Sequence, residues 1–584
     1  MLSGIAAALW LLGLLAAAPA LRSNEPYTFA DRLRDALLLG VAIPLVLGFL
    51  GLLYPATCWL ALAILVIVSG ARRARALEGL SGARRARAVE ARPPYILIAA
   101  LALIAWPPLM RPLLDGDTLS YHLPNAAAWV HAHGVWTTDS RYWWYPPASE
   151  MFAAGLFAVS GPFALGWSGF GAIALLGFRI VAFAREEFGA PAWLADSLGA
   201  ATVTMTPLAL QAGSLQNDVW LAALFIESLW TIRTRSSAAM LTVAITALLK
   251  PYGWLFVAVA AAAGKAPLRV WIAGALAFAI WTLHDALLWH TAMVTPGSAS
   301  SANTWQSTIL AHGLPALALL ARVAAVASPL ALPALVAALF GPLVAGDHRR
   351  DLGWAALAAF ALFLLMPLAY ADTHPQLATG ASLRYAAPAF ALGALLLARP
   401  ATFAPRVVTV LFTLCAALGC AVIMATFWND GGTRFALAIS LIAVVNVAVA
   451  NATGIRWTVP AGFVLAALAA AYLAARFPAN YFTDALRVDG RTSGVYAWIA
   501  HAQPSVVGGW GLRSGIVNVL APAARTLDLP DGAACADAAQ QRATLVAVAE
   551  NDRSPAFNAQ RLDTARACAR AVLFHDGIAV ISSM

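Results

Sequence analysis

Two closely spaced aspartates are the first residues in this sequence whose type and position could do chemistry. Asp115 and Asp117 stand in the stretch Leu114-Asp-Gly-Asp-Thr-Leu-Ser-Tyr-His-Leu-Pro124, directly after a long apolar run. A carboxylate at a bilayer boundary is costly unless it is solvated or paired. The two acids therefore indicate a water-filled site in which one of them could act as a general base. The structural alternative is that Asp117 caps a helix from about Ser120 to His133.

Aromatic residues are dense in the same loop. Tyr121 and His122 follow the aspartates, and the stretch Tyr142-Trp-Trp-Tyr-Pro-Pro147 precedes Glu150. Such density is typical of a headgroup belt at a membrane interface, and it is also typical of grooves that bind sugars. We therefore predict substrate-binding roles for Tyr121, His122, Tyr145 and Glu150.

Further charged residues lie at the ends of apolar runs. Asp218 follows Gln216-Asn217, Lys250 stands in Leu249-Lys-Pro-Tyr-Gly253, and Arg384-Tyr385 opens another run. Their structural alternatives are an acid placed at a helix N-terminus and a snorkelling lysine. Their functional interpretation is an acid beside two cations that bind phosphate oxygens. This combination favours group transfer from a donor whose phosphate carries a lipid tail.

The elements that position these residues are membrane helices. Of the 584 residues, 61% are hydrophobic and only 11% are charged, and the mean hydropathy is +0.75. Soluble domains carry about 25% charged residues. Apolar runs of membrane-spanning length recur along the chain, and they are continuous rather than alternating, which indicates helices. We predict an all-α polytopic membrane bundle of roughly 14–16 spans.

The distribution of arginine gives the orientation. Residues 71–94 hold seven arginines in one short loop, which is typical of the cytoplasmic face. The net charge of +9 is thus a membrane-topology signal, and we expect no nucleic-acid partner. The loop 114–161 and the loops near 212–217, 291–308, 372–384 and 428–434 then fall outside. This arrangement requires residues 309–324 to lie at the interface. The first run, Met1 to about Leu21, lacks a basic segment before it, so we interpret it as a retained helix.

The composition changes after a last span at about 457–475. Residues 480–584 mix polar and apolar residues, with β-like runs at Ser505–Trp510, Thr544–Val548 and Ala571–Ile581. We predict a small extracytoplasmic α/β domain, in which Cys535 and Cys568 could form a disulfide. The domains are then 1–94 (extra spans and a basic cytoplasmic loop), 95–475 (the catalytic transmembrane region) and 476–584 (the soluble domain).

Several of these patches together resemble the GT-C superfamily of membrane glycosyltransferases, in its ArnT-like, protein-mannosyltransferase-like and Rgt-like branch. The resemblance covers about residues 95–400. It is carried by five patches: Asp117-Thr-Leu-Ser-Tyr-His-Leu-Pro124, Tyr145-Pro-Pro-Ala-Ser-Glu150, Asn217-Asp218, Lys250-Pro-Tyr-Gly253, and Arg384-Tyr385 with Pro388.

The resemblance implies an inverting transfer of a sugar from a polyprenyl-phosphate donor outside the cytoplasm. It implies Asp117 as the catalytic base, with Asp115 beside it, and Lys250, Arg384 and Tyr385 at the donor phosphate. Asp218 matches an acid that binds a divalent metal (Mg or Mn) in some members. Thr118 departs from the glutamate of many members.

The sequence leaves the acceptor and the rival functions open. The acceptor could be a lipid, a glycan or a protein, and the expected location is a bacterial inner membrane with the C-terminal domain in the periplasm. The alternatives are an oligosaccharide ligase or polymerase, a transporter of lipid-linked or small substrates, and a scaffold without activity. His122, His131 and His133 show no spacing typical of metal ligands.

Overall fold

A computed structural model describes most of the chain. It covers residues 2–21, 28–78, 93–105, 115, 117–140, 142–289, 308–366, 383–427, 493–510, 514–528, 544–548, 571–575 and 579–583, together with a few single positions between 559 and 567. Most of the predicted basic loop 71–94, the predicted last span 457–475, and Cys535 and Cys568 lie outside the described residues.

The N-terminal half is built from helices that pack into one apolar core. They are α1 Leu2–Ala17, α2 Phe29–Phe49, α3 Pro55–Glu78, α4 Tyr95–Ile104, α5 Leu123–His131, α6 Ala148–Ser160, α7 Trp167–Phe188, α8 Ala192–Val203 and α9 Asp218–Arg233. A π-helical turn, Thr118–His122, leads into α5. Short helical turns lie at Ala18–Leu21, Pro162–Ala164, Thr206–Ala209 and Leu210–Gly213.

The second half of the bundle continues the same core. Its helices are α10 Ala239–Ala247, α11 Gly253–Ala263, α12 Leu268–Trp289, α13 Gly313–Ala327, α14 Ala331–Leu339, α15 Arg350–Leu365, α16 Ala387–Leu396 and α17 Pro405–Phe427. Short helical turns lie at Leu310–His312, Gly341–Ala345, Asp347–Arg349, Leu383–Ala386 and Ala398–Ala401. Small residues allow close packing here: a Cβ added to Gly393 would lie 2.0 Å from the carbonyl oxygen of Ala334.

The fold class predicted from the sequence is confirmed: the chain is a helical membrane protein with a small C-terminal α/β domain. Four helices in the described part are long and apolar enough to cross a membrane, namely Gly4–Leu21, Trp167–Phe188, Leu268–Leu288 and Leu310–Ala327. The last of these overlaps the segment that we expected at the interface, and its length and composition do not distinguish the two placements. The total of roughly 14–16 spans stays a prediction.

Helix α9 fixes which loops share an end of the bundle. Asp218 begins the helix and Arg233 ends it, so the two lie about 22 Å apart at a rise of roughly 1.5 Å per residue. Arg233 is ion-paired with Asp351 and, at 3.1 Å, with Glu187, which also lies 2.6 Å from Arg349. The segments that hold Glu187, Arg233 and Arg349–Asp351 therefore meet at the Arg233 end.

The C-terminal domain contains a mixed sheet of five strands in the order β2-β1-β3-β5-β4. Its elements are α18 Ser493–Ala502, β1 Val506–Trp510, α19 Ser514–Leu520, β2 Arg525–Asp528, β3 Thr544–Val548, β4 Ala571–His575 and β5 Ala579–Ser583. Strand β1 pairs parallel with β2 and β3, and β5 pairs antiparallel with β3 and β4.

The sequence missed one strand of this domain, and one predicted run was wrong in detail. Strand β2 was not predicted, because Arg525–Asp528 alternates no better than a loop. The predicted single run Ala571–Ile581 is two strands, β4 and β5, that pair with each other.

Candidate functional site

The centre of the site is a buried ion pair between Asp218 and Lys250. Asp218 is the first residue of α9, and Lys250 lies in the turn between α10 and α11. The Lys250 ammonium contacts Asp218 Oδ1, and both side chains are almost fully buried. The Asn217 side chain donates to the carbonyl oxygen of Leu249 at 2.9 Å, so the two segments are tied together beside the ion pair.

The break between α10 and α11 presents Lys250 at the end of two short helices. Neither helix is long enough to cross a bilayer alone, since about 20 residues are needed. A Cβ at Gly253 would lie 2.6 Å from the carbonyl oxygen of Thr246, so the chain turns sharply there because no side chain is present. The Lys250 ammonium lies 4.7 Å from the ring centre of Tyr385 and 5.5 Å from that of Tyr252, within cation–π range.

Arg384 connects this ion pair to the segment that holds Asp117. It lies in the short turn Leu383–Ala386 before α16. Its Nη2 donates to Asp117 Oδ2, and its Nε lies 3.3 Å from Asp218 Oδ2. The side chains of Arg384 and Asp117 are 21% and 34% exposed, so this part of the cluster is open to solvent while the Asp218–Lys250 part is closed.

The loop segment that carries Asp117 is held in an unusual conformation. Residues Thr118–His122 form a π-helical turn, a conformation that is rare and often lies at functional sites. Asp115 Oδ1 accepts a hydrogen bond from the Thr118 amide at 2.8 Å and another from Gln216 Nε2 at 3.3 Å. The Thr118 hydroxyl in turn accepts from the Leu215 amide at 2.9 Å.

This geometry corrects our structural alternative for Asp117. Asp117 makes no capping hydrogen bond with its side chain; Asp115 supplies that bond instead, to Thr118. The helix expected from about Ser120 to His133 is a π-helical turn followed by α5, Leu123–His131. Burial raises the pKa of Asp115, although the hydrogen bonds from Thr118 act in the opposite direction. Asp115 is thus an organising residue, and Asp117 is the carboxylate that contacts Arg384.

The carboxylate of Glu150 contacts the last residue of the π-helical turn. His122 Nδ1 lies 2.5 Å from Glu150 Oε1, and the Ser149 hydroxyl donates to Glu150 Oε2 at 2.7 Å. His122 and Glu150 are both fully buried. The pair orients the imidazole, and the structure brings these two predicted substrate-binding residues together at the base of the site.

The predicted aromatic residues pack next to this pair. The Tyr121 ring centre lies 4.1 Å from that of His122, 5.0 Å from Tyr142 and 5.6 Å from Tyr145. Burial raises the pKa values of Tyr121 and Tyr145, so both hydroxyls stay protonated and can donate hydrogen bonds. The aromatic stretch therefore forms one wall beside Asp117 rather than a scattered belt.

The donor set around Asp218 does not fit a divalent metal as it stands. One carboxylate oxygen contacts Lys250 and the other faces Arg384, so two cations already neutralise this acid. Among the described residues, no group of three or more His, Cys, Asp or Glu side chains gathers as a metal site would require. In this arrangement Asp218 serves as a counter-ion for the two cations.

The C-terminal domain contacts the same loop, which the sequence did not reveal. Leu119 is buried in the apolar cluster of that domain, and a Cβ on Gly515 of α19 would lie 2.6 Å from the Leu119 Cα. Arg525 pairs with Asp139 through two hydrogen bonds of 2.6 and 2.8 Å. Neither contact could be predicted from the neighbouring sequence, because the partners are about 390 residues apart.

Comparisons with known proteins give a structural likeness alone. No family model and no curated protein matches the chain. Two crystal structures of ArnT from Cupriavidus metallidurans are similar, each covering 84% of this chain and 97% of that chain. The structure bound to undecaprenyl phosphate is 16% identical with a TM-score of 0.47, and the apo structure is 15% identical with a TM-score of 0.46. The function is argued below from the residues of the site.

Proposed function

We propose that this protein transfers a sugar from a polyprenyl-phosphate donor to an acceptor hydroxyl, with inversion, at the extracytoplasmic face of a bacterial inner membrane. One observation carries the proposal: Asp117, Lys250 and Arg384, from three distant segments, meet in one cluster with Asp218. A base and two phosphate-binding cations side by side are what this reaction requires. No general acid is needed, since a phosphate is already a good leaving group.

The chemistry follows from the positions of the charges. Asp117 takes the proton of the acceptor hydroxyl, whose oxygen attacks the anomeric carbon. The bond from that carbon to the phosphate oxygen breaks, and the electron pair leaves with the polyprenyl phosphate. Lys250 and Arg384 stabilise the charge that develops on the phosphate, in a partly buried cluster where electrostatic interactions are stronger than in water.

The acceptor side is the aromatic wall. Tyr121 and Tyr145 offer hydroxyl donors and ring faces next to Asp117, and the His122–Glu150 pair fixes the turn that carries this wall. The wall suits a sugar hydroxyl as the acceptor. A lipid or a protein hydroxyl are the other outcomes that the assay below distinguishes.

The test is sugar transfer by the purified, lipid-reconstituted protein. Membranes of the source bacterium supply the pool of lipid-linked sugars, and loss of the lipid-linked sugar and gain of a glycosylated acceptor are followed by mass spectrometry. We expect Asp117→Asn to lower the rate at least a hundredfold, because a general base contributes about that much or more. Asp351→Asn is the matched control: it removes another arginine-paired aspartate, at the opposite end of α9, and should retain activity.

Two outcomes would contradict the proposal. Asp117→Asn could retain the wild-type rate while Asp115→Asn abolishes it, which would assign the base to the other aspartate. Accumulation of an unchanged substrate in vesicles, with no new glycosidic bond, would identify a transporter. Loss of activity on chelation, restored by Mg or Mn, would instead add a divalent metal to the proposed reaction.

A further inference from the structure

Arg384 is shared between the acid proposed as the base and the acid of the phosphate site. Its Nη2 donates to Asp117 Oδ2 and lies 3.3 Å from the Tyr385 hydroxyl. Its Nε lies 3.3 Å from Asp218 Oδ2 without hydrogen-bond geometry, and this nitrogen is buried with no hydrogen-bond partner among the described residues. The Arg384 guanidinium thus neutralises Asp117, and its Nε–H group is still able to donate a hydrogen bond to a ligand.

A carboxylate that is paired with a guanidinium is a weaker base than the same carboxylate alone, because the cation favours the ionised form. A phosphate competes well for that guanidinium, since its oxygens match the fork of N–H donors. The cluster of Asp117, Asp218, Lys250 and Arg384 contains two negative and two positive charges. An incoming phosphodiester adds a negative charge, so one of the existing ion pairs must weaken.

The ion pair that weakens is the one between Arg384 and Asp117. Lys250 and Asp218 are about nine-tenths or more buried, where separating two charges is costly. The side chains of Arg384 and Asp117 are 21% and 34% exposed, so water can solvate Asp117 once the guanidinium moves. The difference in exposure therefore decides which contact a phosphate replaces.

We propose that the donor phosphate draws Arg384 away from Asp117, so that Asp117 becomes a competent base only when the donor is bound. This inference rests on the proposed function and assigns Arg384 a second role in it. Asp117 then accepts the proton of the acceptor hydroxyl while the new bond to the anomeric carbon forms. When the polyprenyl phosphate departs, Arg384 returns to Asp117 and favours release of that proton to water.

The exchange predicts a link between donor binding and the charge at position 117. If the donor separates Arg384 from Asp117, then a variant with an uncharged residue at position 117, which releases Arg384 on its own, must bind the donor more tightly. Several other titratable or charged groups face this cluster and must be held constant between variants: Asp115, Tyr121, His122, Tyr145, Asp218, Lys250, Tyr252 and Tyr385.

The experiment measures binding without turnover. The probe is a polyprenyl methyl phosphate, a diester that carries a single negative charge, titrated into the reconstituted full-length protein at neutral pH. Asp117→Asn should bind it about fivefold more tightly than the wild type does, because the amide competes weakly for Arg384. Asp351→Asn should retain the wild-type affinity.

The outcomes separate this inference from the proposed function. Binding no tighter than that of an uncharged polyprenol would show that the site does not hold a lipid phosphate, and both would be wrong. Binding that Asp117→Asn does not tighten would leave the transferase proposal intact and overturn the exchange of Arg384.

Discussion

Asp115 and Asp117 are two residues apart, yet their surroundings give them different tasks. Asp115 accepts hydrogen bonds from Thr118 and Gln216, and its second oxygen is buried without a hydrogen-bond partner among the described residues. Asp117 is partly solvated and faces a cation. Burial favours the protonated form of Asp115, whereas Asp117 is placed to contact Arg384. The surroundings of the two aspartates, rather than their residue type, therefore give Asp115 a structural role and leave Asp117 as the candidate base.

At the residue scale, Asp115→Asn should stabilise the protein as the pH rises. Burial raises the pKa of Asp115 in the folded state, so the folded protein binds this proton more tightly than the unfolded chain does. Wild-type stability is then lost as the pH climbs from the unfolded pKa through the folded one. Asparagine mimics the protonated acid and lacks this loss. We expect its thermal unfolding midpoint to exceed that of the wild type by about one to three degrees at pH 8.

The measurement is thermal unfolding of both proteins in detergent between pH 4 and pH 8. The difference between the two midpoints should grow with pH, since only the wild type ionises at this position. A difference that stays constant across the range would show that the substitution acts through hydrogen bonding alone. The transfer rate of Asp115→Asn should stay within about threefold of the wild type, because this acid contacts neither cation of the site.

The π-helical turn Thr118–His122 is the element on which the site depends, and both the helical bundle and the C-terminal domain contact it. On the bundle side, the Thr118 hydroxyl accepts from the Leu215 amide. On the other side, Leu119 is buried in the C-terminal domain against Gly515. The domain also contacts the segment that follows this turn. His131 Nε2 lies 2.9 Å from the carbonyl oxygen of Pro522, and Asp139 is paired with Arg525. A rare backbone conformation persists where its surroundings determine it in this way.

At the element scale, Gly515→Ala should lower kcat with little change in KM for the donor. A Cβ at this position would meet the Leu119 backbone at 2.6 Å, so the turn that carries Asp117 must shift while Lys250 stays in place. Misplacing a catalytic group by even a fraction of an ångström costs about tenfold or more. Gly70→Ala is the matched control, because a Cβ on Gly70 of α3 meets nothing within 4 Å. Equal kcat values for the two variants would mean that the domain does not position the turn.

The sequence predicted most of the elements and much of the site, for identifiable reasons. Hydrophobic runs predict helices because lipid leaves the backbone no other partner. The arginine loops placed Asp117, Asp218, Lys250 and Arg384 at one end of the bundle, where the structure finds them together.

The pairings within that end were not predictable. Arg384 and Asp117 are separated by 267 residues, and nothing local marks one as the partner of the other. The same holds for the contact between Leu119 and Gly515. Strand β2 exists because it pairs with β1, not because its own residues favour a strand.

At the scale of the whole molecule, charged side chains of the described residues gather at the two ends of α9 and in a buried group between helices. That group contains Asp31, Arg34, Asp35, Arg179 and Glu227, with Arg179 at 2.8 Å from Asp31 and 2.7 Å from Glu227. It joins α2 to α7 and α9, so a helix of the N-terminal segment is tied to the region that carries the site. Removing either arginine would leave uncompensated buried carboxylates, which is strongly destabilising.

The two ends of α9 must lie on opposite sides of the membrane if the proposed function is right. Lipid-linked sugars used outside the cytoplasm can reach only the end that holds Asp218, and the C-terminal domain lies at that end because it contacts Leu119 and Asp139. Ser505 of that domain and His348 at the Arg233 end are both exposed. In spheroplasts, a membrane-impermeant maleimide should therefore label Ser505→Cys above the parent protein, and His348→Cys only after the membrane is disrupted. The reverse pattern would place Asp117 in the cytoplasm, where the positive-inside rule does not allow it, and labelling of both in intact spheroplasts would mean that α9 does not separate two compartments.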